Sequence, residues 1–492
     1  MKKHQRITSA ALAAILLLLT GCGSGADGKP TDTSADTDAE TTLAEPEGYT
    51  YPDKDYEGYN FRILNLDFFW DCYVAVDIQE QTGESVDDAV YNRNRRIEER
   101  FNITIEENKF PFVGNGPTNI TTRLMQSVMA GSDDYDTAYL PIAYQPGVIT
   151  SGCIIELYDV PGLNLDREWW DGTLNESCKI NGSLYAASSP LQLTSLDLSW
   201  VLLFNKDMFD SYNLDYPYDY VRNGEWTLDK MNEYISKLAN LNGDDSFTYT
   251  DSGNSVYGIA AHGDTGVYMM MLSAGERFVG HDKNGQLVYN EVGDRFYNVM
   301  DKLTGLFNIS TGNSLFNSND GLNDKGGYYN LFYSNRAAFL TTELKGTKVM
   351  RSLESDYGIL PAPKYDEDQS DYITYASENM GRMTIPATVS DPERSGIILD
   401  ALSYESMTSV LPLYYNNTIS QKGLRDEDSI EMLEIINRTR MTEPGKIYGF
   451  TNDLVTKLSQ EVQRGGTSFA SIIASSSGSV KQKIEDFVDS IG

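Results

Sequence analysis

The sequence predicts an α/β protein built on parallel sheets, and three observations carry that reading. From residue 59 to residue 140, strand-like and helix-like patterns alternate as β-α-β-α-β, which a parallel sheet with crossover helices requires. Residues 200–204 (WVLLF) form a short, continuous apolar run, read by its length and its Val and aromatic content as a strand buried on both faces. At 492 residues with 40% hydrophobic content, the chain can bury more than one core.

Before the folded body comes a processing segment. Lys2, Lys3 and Arg6 make a positive n-region ahead of an apolar run over residues 10–19, too short to span a bilayer. It ends in LTGC at Cys22, which reads as a lipobox: residues 1–21 are a signal peptide, and Cys22 carries lipid. An ordinary secretory signal with a chance cysteine is the plainer alternative. Dual acylation gives the stable anchoring that one chain cannot. Residues 22–48 hold the lipidated cysteine and a Gly, Ser, Thr and Asp-rich stretch with too little apolar content to order itself. This acidic tether is expected to hold the body on the order of 25–30 Å from the outer face of the cell membrane.

In the body, residues 61–64 (FRIL) read as the first strand and 65–71 (NLDFFWD) as the loop at its carboxyl end, where open α/β sheets collect ligands. Trp70 offers a stacking face there and Asp71 a hydroxyl acceptor, against the plainer reading of a packed Trp and a solvated Asp. A capping signal at Ser85–Asp88 opens a helix whose Val86, Val90, Ile97 and Phe101 share one face. A strand with Ile103 and Ile105 follows, then a helix over 119–130 and a strand over 135–140, after which Tyr144 and Gln145 make a second candidate loop. Thr227 caps a helix with Leu228, Met231, Ile235 and Leu238 in one stripe. A strand over 257–260 leads into a third candidate loop, 262–268, with Thr265 and Tyr268. The segments 282–285 and 242–245 read as turns. A strand over 337–342 ends near Glu343, and another over 357–363 is stopped by two prolines. Asp391-Pro392 starts a helix that buries Ile397, Ile398, Ala401 and Leu402. Another runs over 429–440. A last one carries Ile484, Phe487, Val488 and Ile491, preceded by a serine-rich loop at 475–479.

Composition removes several functions. A formal charge of −33 argues against nucleic acid and otherwise serves solubility. With Cys22 lipidated, Cys72, Cys153 and Cys178 remain, enough for at most one internal bridge, and no CxxC invites zinc. His262 and His281 read as loop histidines. No nucleophile elbow, HExxH or P-loop appears, so neither a cofactor nor a metal is expected.

Several segments, in order, resemble one family: VYNRN at 90–94, LFNKD at 203–207, NGEWTLDKM at 223–231, GILPAPK at 358–364, IPATVSDPER at 385–394 and KGLRDEDSIEML at 422–433. Behind a lipobox and an acidic tether, the ordered set is similar to the extracellular solute-binding lipoproteins of bacterial ABC importers, of the carbohydrate type. The resemblance implies a bilobal periplasmic-binding-protein-like type II fold. Lobe one would take residues 49–190 plus about 358–404, and lobe two 195–356 plus about 410–492, with the stretch at 191–209 crossing between them. It further implies a monomer that captures a small solute, most often a sugar or oligosaccharide, and delivers it to a permease driven by an ATPase. Candidate ligand-binding residues are Trp70, Asp71, Tyr144, Asp197, Thr265, Tyr268, Glu343, Asn379 and Phe450. Residues 441–443 (MTE) depart from a Tyr-Asp pair that related sequences carry, which puts one cleft wall in doubt. The rival readings are a surface-anchored glycoside hydrolase with two carboxylates and a non-transporting carbohydrate receptor.

Overall fold

The computed structural model describes residues 48–247, 250, 252–307, 314–317, 327–419 and 427–491. The signal segment, Cys22 and nearly all of the tether lie outside the described residues. Chain contacts separate residues 1–51 from 52–492, and the latter carries everything described below.

The strands, in chain order, are β1 (Tyr59–Leu66), β2 (Ile103–Phe110), β3 (Thr137–Pro141), β4 (Trp200–Asn205), β5 (Tyr257–His262), β6 (Val279–His281) and β7 (Leu287–Tyr289). They continue with β8 (Ser314–Asn317), β9 (Ala337–Glu343), β10 (Tyr357–Leu360), β11 (Thr374–Tyr375), β12 (Gly381–Thr384) and β13 (Arg440–Met441). Two sheets dominate. The first has the order β12-β3-β1-β2, with β1 parallel to both β2 and β3 and only β12 antiparallel. The second has the order β10-β4-β9-β5-β8. The parallel pairs carry the expected crossover helices, Ser85–Phe101 between β1 and β2 and Gly116–Met129 between β2 and β3.

Strand β4 is buried along its whole length, as its unbroken apolar run requires. It lies between β10 and β9 near the middle of the second sheet. The crossover segments meet beside it. Ser199 bridges Ala376, and β11 runs parallel to β13. Arg440, buried, donates to the Ser195 carbonyl at 2.9 Å and pairs with Asp171. Three stretches far apart in sequence are thereby laced into one junction beside β4.

Local expectations fail where tertiary contacts outweigh propensity. Ser85 is the first helical residue rather than the cap. Asp88 Oδ1 instead reaches back to accept the N–H groups of Thr82 and Gly83. Residues 263–273 are helical, so the loop expected at 262–268 is a helix N-terminus. The serine-rich stretch at 475–479 lies inside one helix, Phe469–Ile491. Ser475 returns its hydroxyl to the Ile472 carbonyl (3.0 Å), and Ser476 and Val480 face the core. Residues 357–360 pair antiparallel with β4 in the second sheet, although the resemblance placed the chain from about residue 358 in lobe one. The chain therefore returns to the first sheet only between β11 and β12. Thr227 and Asp391 do cap their helices, accepting from Lys230 and Arg394 N–H at 3.3 and 3.0 Å. The 282–285 turn joins β6 to β7, with Gly285 at φ +79°. Cys72, Cys153 and Cys178 are buried free thiols. No helix among the described residues is long and apolar enough to cross a membrane.

Candidate functional site

The site begins at the carboxyl ends of β1 and β2. The loop after β1 is tied to its neighbour: Asp67 N–H donates to the Phe110 carbonyl (3.0 Å), and Asp67 Oδ1 accepts the Phe112 N–H (2.8 Å). Trp70 and Asp71 then take left-handed backbone angles, φ 45° and 61°, which puts the indole at the surface. For a residue as bulky as Trp this is an outlier that surrounding contacts must enforce.

Those contacts come from the other sheet. Strand β9 ends at Glu343 and passes into a 3-10 turn, Leu344–Ser352. From it, Lys348 Nζ donates to the Asp71 carbonyl (3.1 Å) and to Asp197 Oδ2 (2.9 Å). Lys345 Nζ sits 3.0 Å from Glu343 Oε2 and 5.7 Å from the centre of the Trp70 ring. Burial pushes the Glu343 carboxyl above its ordinary pKa, and the Lys345 ammonium opposes that shift. His262 acts with Lys345, and Glu378 acts against it. Glu343 is thus the meeting point of two halves of the site.

The second half lies on β5, the helix Gly263–Ser273 and the junction beside β4. The Trp200 ring stands 5.5 Å from His262 and 6.4 Å from Tyr375, stacked on the latter. Tyr375 hydroxyl donates to Glu378, whose other oxygen pairs with Lys446 Nζ at 3.3 Å. Lys446 lies 5.7 Å from the Tyr268 ring. A cavity of about 550 Å³ opens here, with His262, Thr265, Tyr268, Lys446, Gln460 and Gln463 among its walls. The run from Trp70 through Lys345, Glu343 and Glu378 to Lys446 sets one exposed aromatic face beside two carboxylates and two ammonium groups. That mixture suits a polyhydroxylated ligand with apolar C–H faces.

The predicted residues fall into three groups. Trp70, Asp71, Glu343 and Thr265 lie along this run. Tyr144 and Asn379 are brought to its edge together, because the 142–144 turn bonds back to residues 378–380: Ala143 N–H to the Glu378 carbonyl (2.9 Å) and Ile142 N–H to that of Met380 (3.0 Å). The remaining three are committed inside the protein. Asp197 is 1% exposed and accepts from Tyr73 N–H (2.6 Å), Tyr414 hydroxyl (2.7 Å) and Lys348, so it ties three distant segments together. Tyr268 is buried, touches the cavity with its ring, and gives its hydroxyl to Glu443 Oε2 (3.0 Å). Phe450 packs on Tyr448 and Phe487, with centres 5.9 and 5.4 Å away, in the core under the last helix.

Sequence reading passed over Lys345, Lys348, Glu378 and Lys446, and it took His262 for a loop residue. The only signal for the lysines was their position just after a strand end. The departure at 441–443 also resolves. Glu443 is buried and accepts the N–H groups of Phe278 and Val279, both at 2.6 Å, so it holds the β6–β7 hairpin. Burial raises its carboxyl to about 7 against those hydrogen bonds. A second depression, between Glu156 and Asp391, has its polar groups spent on the backbone: Glu156 accepts from Leu184 and Asp159, and Asp391 caps its helix.

No family model matches the chain, and no curated relative matches its sequence. Solved structures do match its shape. The galacto-N-biose/lacto-N-biose I-binding protein of a Bifidobacterium longum ABC transporter superposes with a TM-score of 0.57 at 11% identity, over 88% of this chain and 99% of that one. A sugar transporter of Rhizobium etli in an open conformation gives 0.55 at 14%, over 88% and 100%. UgpB of Mycobacterium tuberculosis, bound to glycerophosphocholine, gives 0.51 at 13%, over 88% and 98%. The fold is that of the periplasmic-binding-protein-like solute-binding proteins. Identities this low establish architecture and leave the ligand to be argued from the site.

Proposed function

We propose that the protein captures a carbohydrate between its two sheets by hinge closure and hands it to an ABC importer, working from the outer face of the cell membrane on a lipidated Cys22. The observation that carries this is the Trp70–Lys345–Glu343 junction. An exposed indole from one sheet meets a carboxylate and two lysines from the other, beside a junction of three laced segments. A ligand bridging such surfaces shifts the open–closed equilibrium by its extra affinity for the closed form. Of the three structures compared above, two are of proteins named for sugars, which supports carbohydrate over the glycerophosphodiester that the third holds.

The test is the melting temperature of the protein against mono- and oligosaccharides, with glycerophosphocholine beside them. A ligand at a hundred times its Kd adds about 2.7 kcal/mol of stability, enough for a clear shift. A rise with one sugar class, the sugar recovered unchanged, is the expected outcome. A second reading has one observation in its favour: Glu343 and Glu378 are two carboxylates in one cleft, one of them raised, as a glycoside hydrolase needs. Cleaved sugar in the same assay would decide for it. A shift with glycerophosphocholine alone would remove carbohydrate.

A further inference from the structure

Three of the most exposed large apolar side chains lie together, on the loops after β1 and β2: Phe68 (43% exposed), Trp70 (38%) and Val113 (69%). The Phe112 ring stands between the first two, its centre 5.9 Å from Phe68 and 6.0 Å from Trp70, edge-on to both. Buried Phe69 backs the row, 4.4 Å from Trp70 and 5.9 Å from Phe112. This ledge is fixed from behind. The Asp67–Phe112 and Asp67–Phe110 backbone bonds join its two loops, and Lys348 pins its far end through the Asp71 carbonyl. Exposed carboxylates, Asp67 and Asp71, stand on either side of its aromatic residues in the chain. Trp70 and Asp71 are consecutive left-handed residues, a backbone that a bulky residue such as Trp keeps only where the surrounding structure over-determines it.

We propose that Phe68, Phe112 and Trp70 form a stacking ledge that carries the cleft outward, so that the ligand is a saccharide chain of three or more units and Phe68 reads its length. The inference rests on the carbohydrate reading above. The ledge adjoins the charged pair of the second sheet, because the Trp70 ring centre lies 5.7 Å from Lys345 Nζ, which pairs with Glu343. A monosaccharide held at Glu343 and Lys345 leaves Phe68 and Phe112 in water. A longer chain lays successive C–H faces on the rings while its hydroxyls reach Asp67 and Asp71, whereas an apolar protein partner would have to desolvate both carboxylates.

Isothermal titration of the full-length protein with malto-, cello-, xylo- and manno-oligosaccharide ladders of one to six units tests this. In the ladder that binds, affinity should rise at least tenfold from the disaccharide to the longest members. Phe68→Ala should remove about five- to tenfold of that gain and leave disaccharide affinity unchanged, while Phe68→Tyr, which keeps the ring, should retain the gain. Flat affinity from the disaccharide upward overturns the ledge and leaves the carbohydrate reading standing. So does a Phe68→Ala loss equal for short and long members, or a concentration-dependent dimer that Phe68→Ala abolishes. Binding to no ladder overturns both.

Discussion

The Trp70–Asp71 loop of the first sheet and the Glu343–Lys348 turn of the second face each other, yet they are built oppositely. The first is exposed, aromatic and strained, and its polar backbone is held by groups it does not own. The second is mostly buried and charged, and its ionised groups are matched almost one to one. A surface meant to release its contacts to a ligand has to leave apolar faces wet. A surface meant to hold position has to satisfy its charges internally, because an unpaired buried charge costs several kcal/mol. Under the function proposed above, the two sheets would share recognition unequally, one supplying the stacking and the other the polar frame.

Four experiments sharpen or break that division. The largest effect is expected from Phe450→Ala, which empties a core position and should cost about 3–5 kcal/mol in urea unfolding, with ligand affinity unchanged in the folded fraction. A loss of affinity without a loss of stability would return Phe450 to the cleft. Asp197→Ala strands the Tyr73 N–H, the Tyr414 hydroxyl and Lys348, and should cost about 3 kcal/mol, again by unfolding. Little change in stability would mean that Asp197 does not tie those segments together.

The pH dependence of Glu443 follows from its raised carboxyl. In the folded protein it titrates near 7 rather than near the ordinary 4.5, so the native state binds the extra proton between those values. Its contribution is therefore fully present below about pH 4.5 and is lost as pH rises through 7, by about 3 kcal/mol at most. Melting curves from pH 5 to 8 should show the parent losing more than Glu443→Gln, which keeps an oxygen for Phe278 and Val279. Parallel curves would count against it. The smallest stability effect belongs to Trp70→Ala. It should leave the melting temperature within a degree or two and weaken sugar binding about tenfold, near 1.4 kcal/mol. The reverse pattern, large in stability and nil in binding, would make the indole a packing residue and dissolve the contrast between the two sheets.

How much of this was legible beforehand depended on the range of the interactions. The strand at 200–204, the helices of the first sheet, and the caps at Thr227 and Asp391 follow from periodicity and local hydrogen bonding, so the sequence displays them directly. Trp70, Asp71 and Glu343 could be named as candidates beforehand because strand ends are recognisable in one dimension. The misses share a different cause. Lys345 and Lys348 look like any surface lysines until β9 is laid beside the Trp70 loop. Asp197 looks like a free acceptor until Tyr73, Lys348 and Tyr414 converge on it from three distant segments.

The sequence by itself determined the class of fold and the alternating strands and helices of the first sheet, together with the buried strand at 200–204, because each depends on contacts within a few residues or on a pattern repeated along one element. Only the tertiary structure decided which carboxylates are spent on the junction and which face the cleft, and that residues 357–360 join the second sheet. Those outcomes depend on the pairing of segments more than a hundred residues apart, and burial, which sets both pKa and availability, is a property of the assembled neighbours and of no single residue.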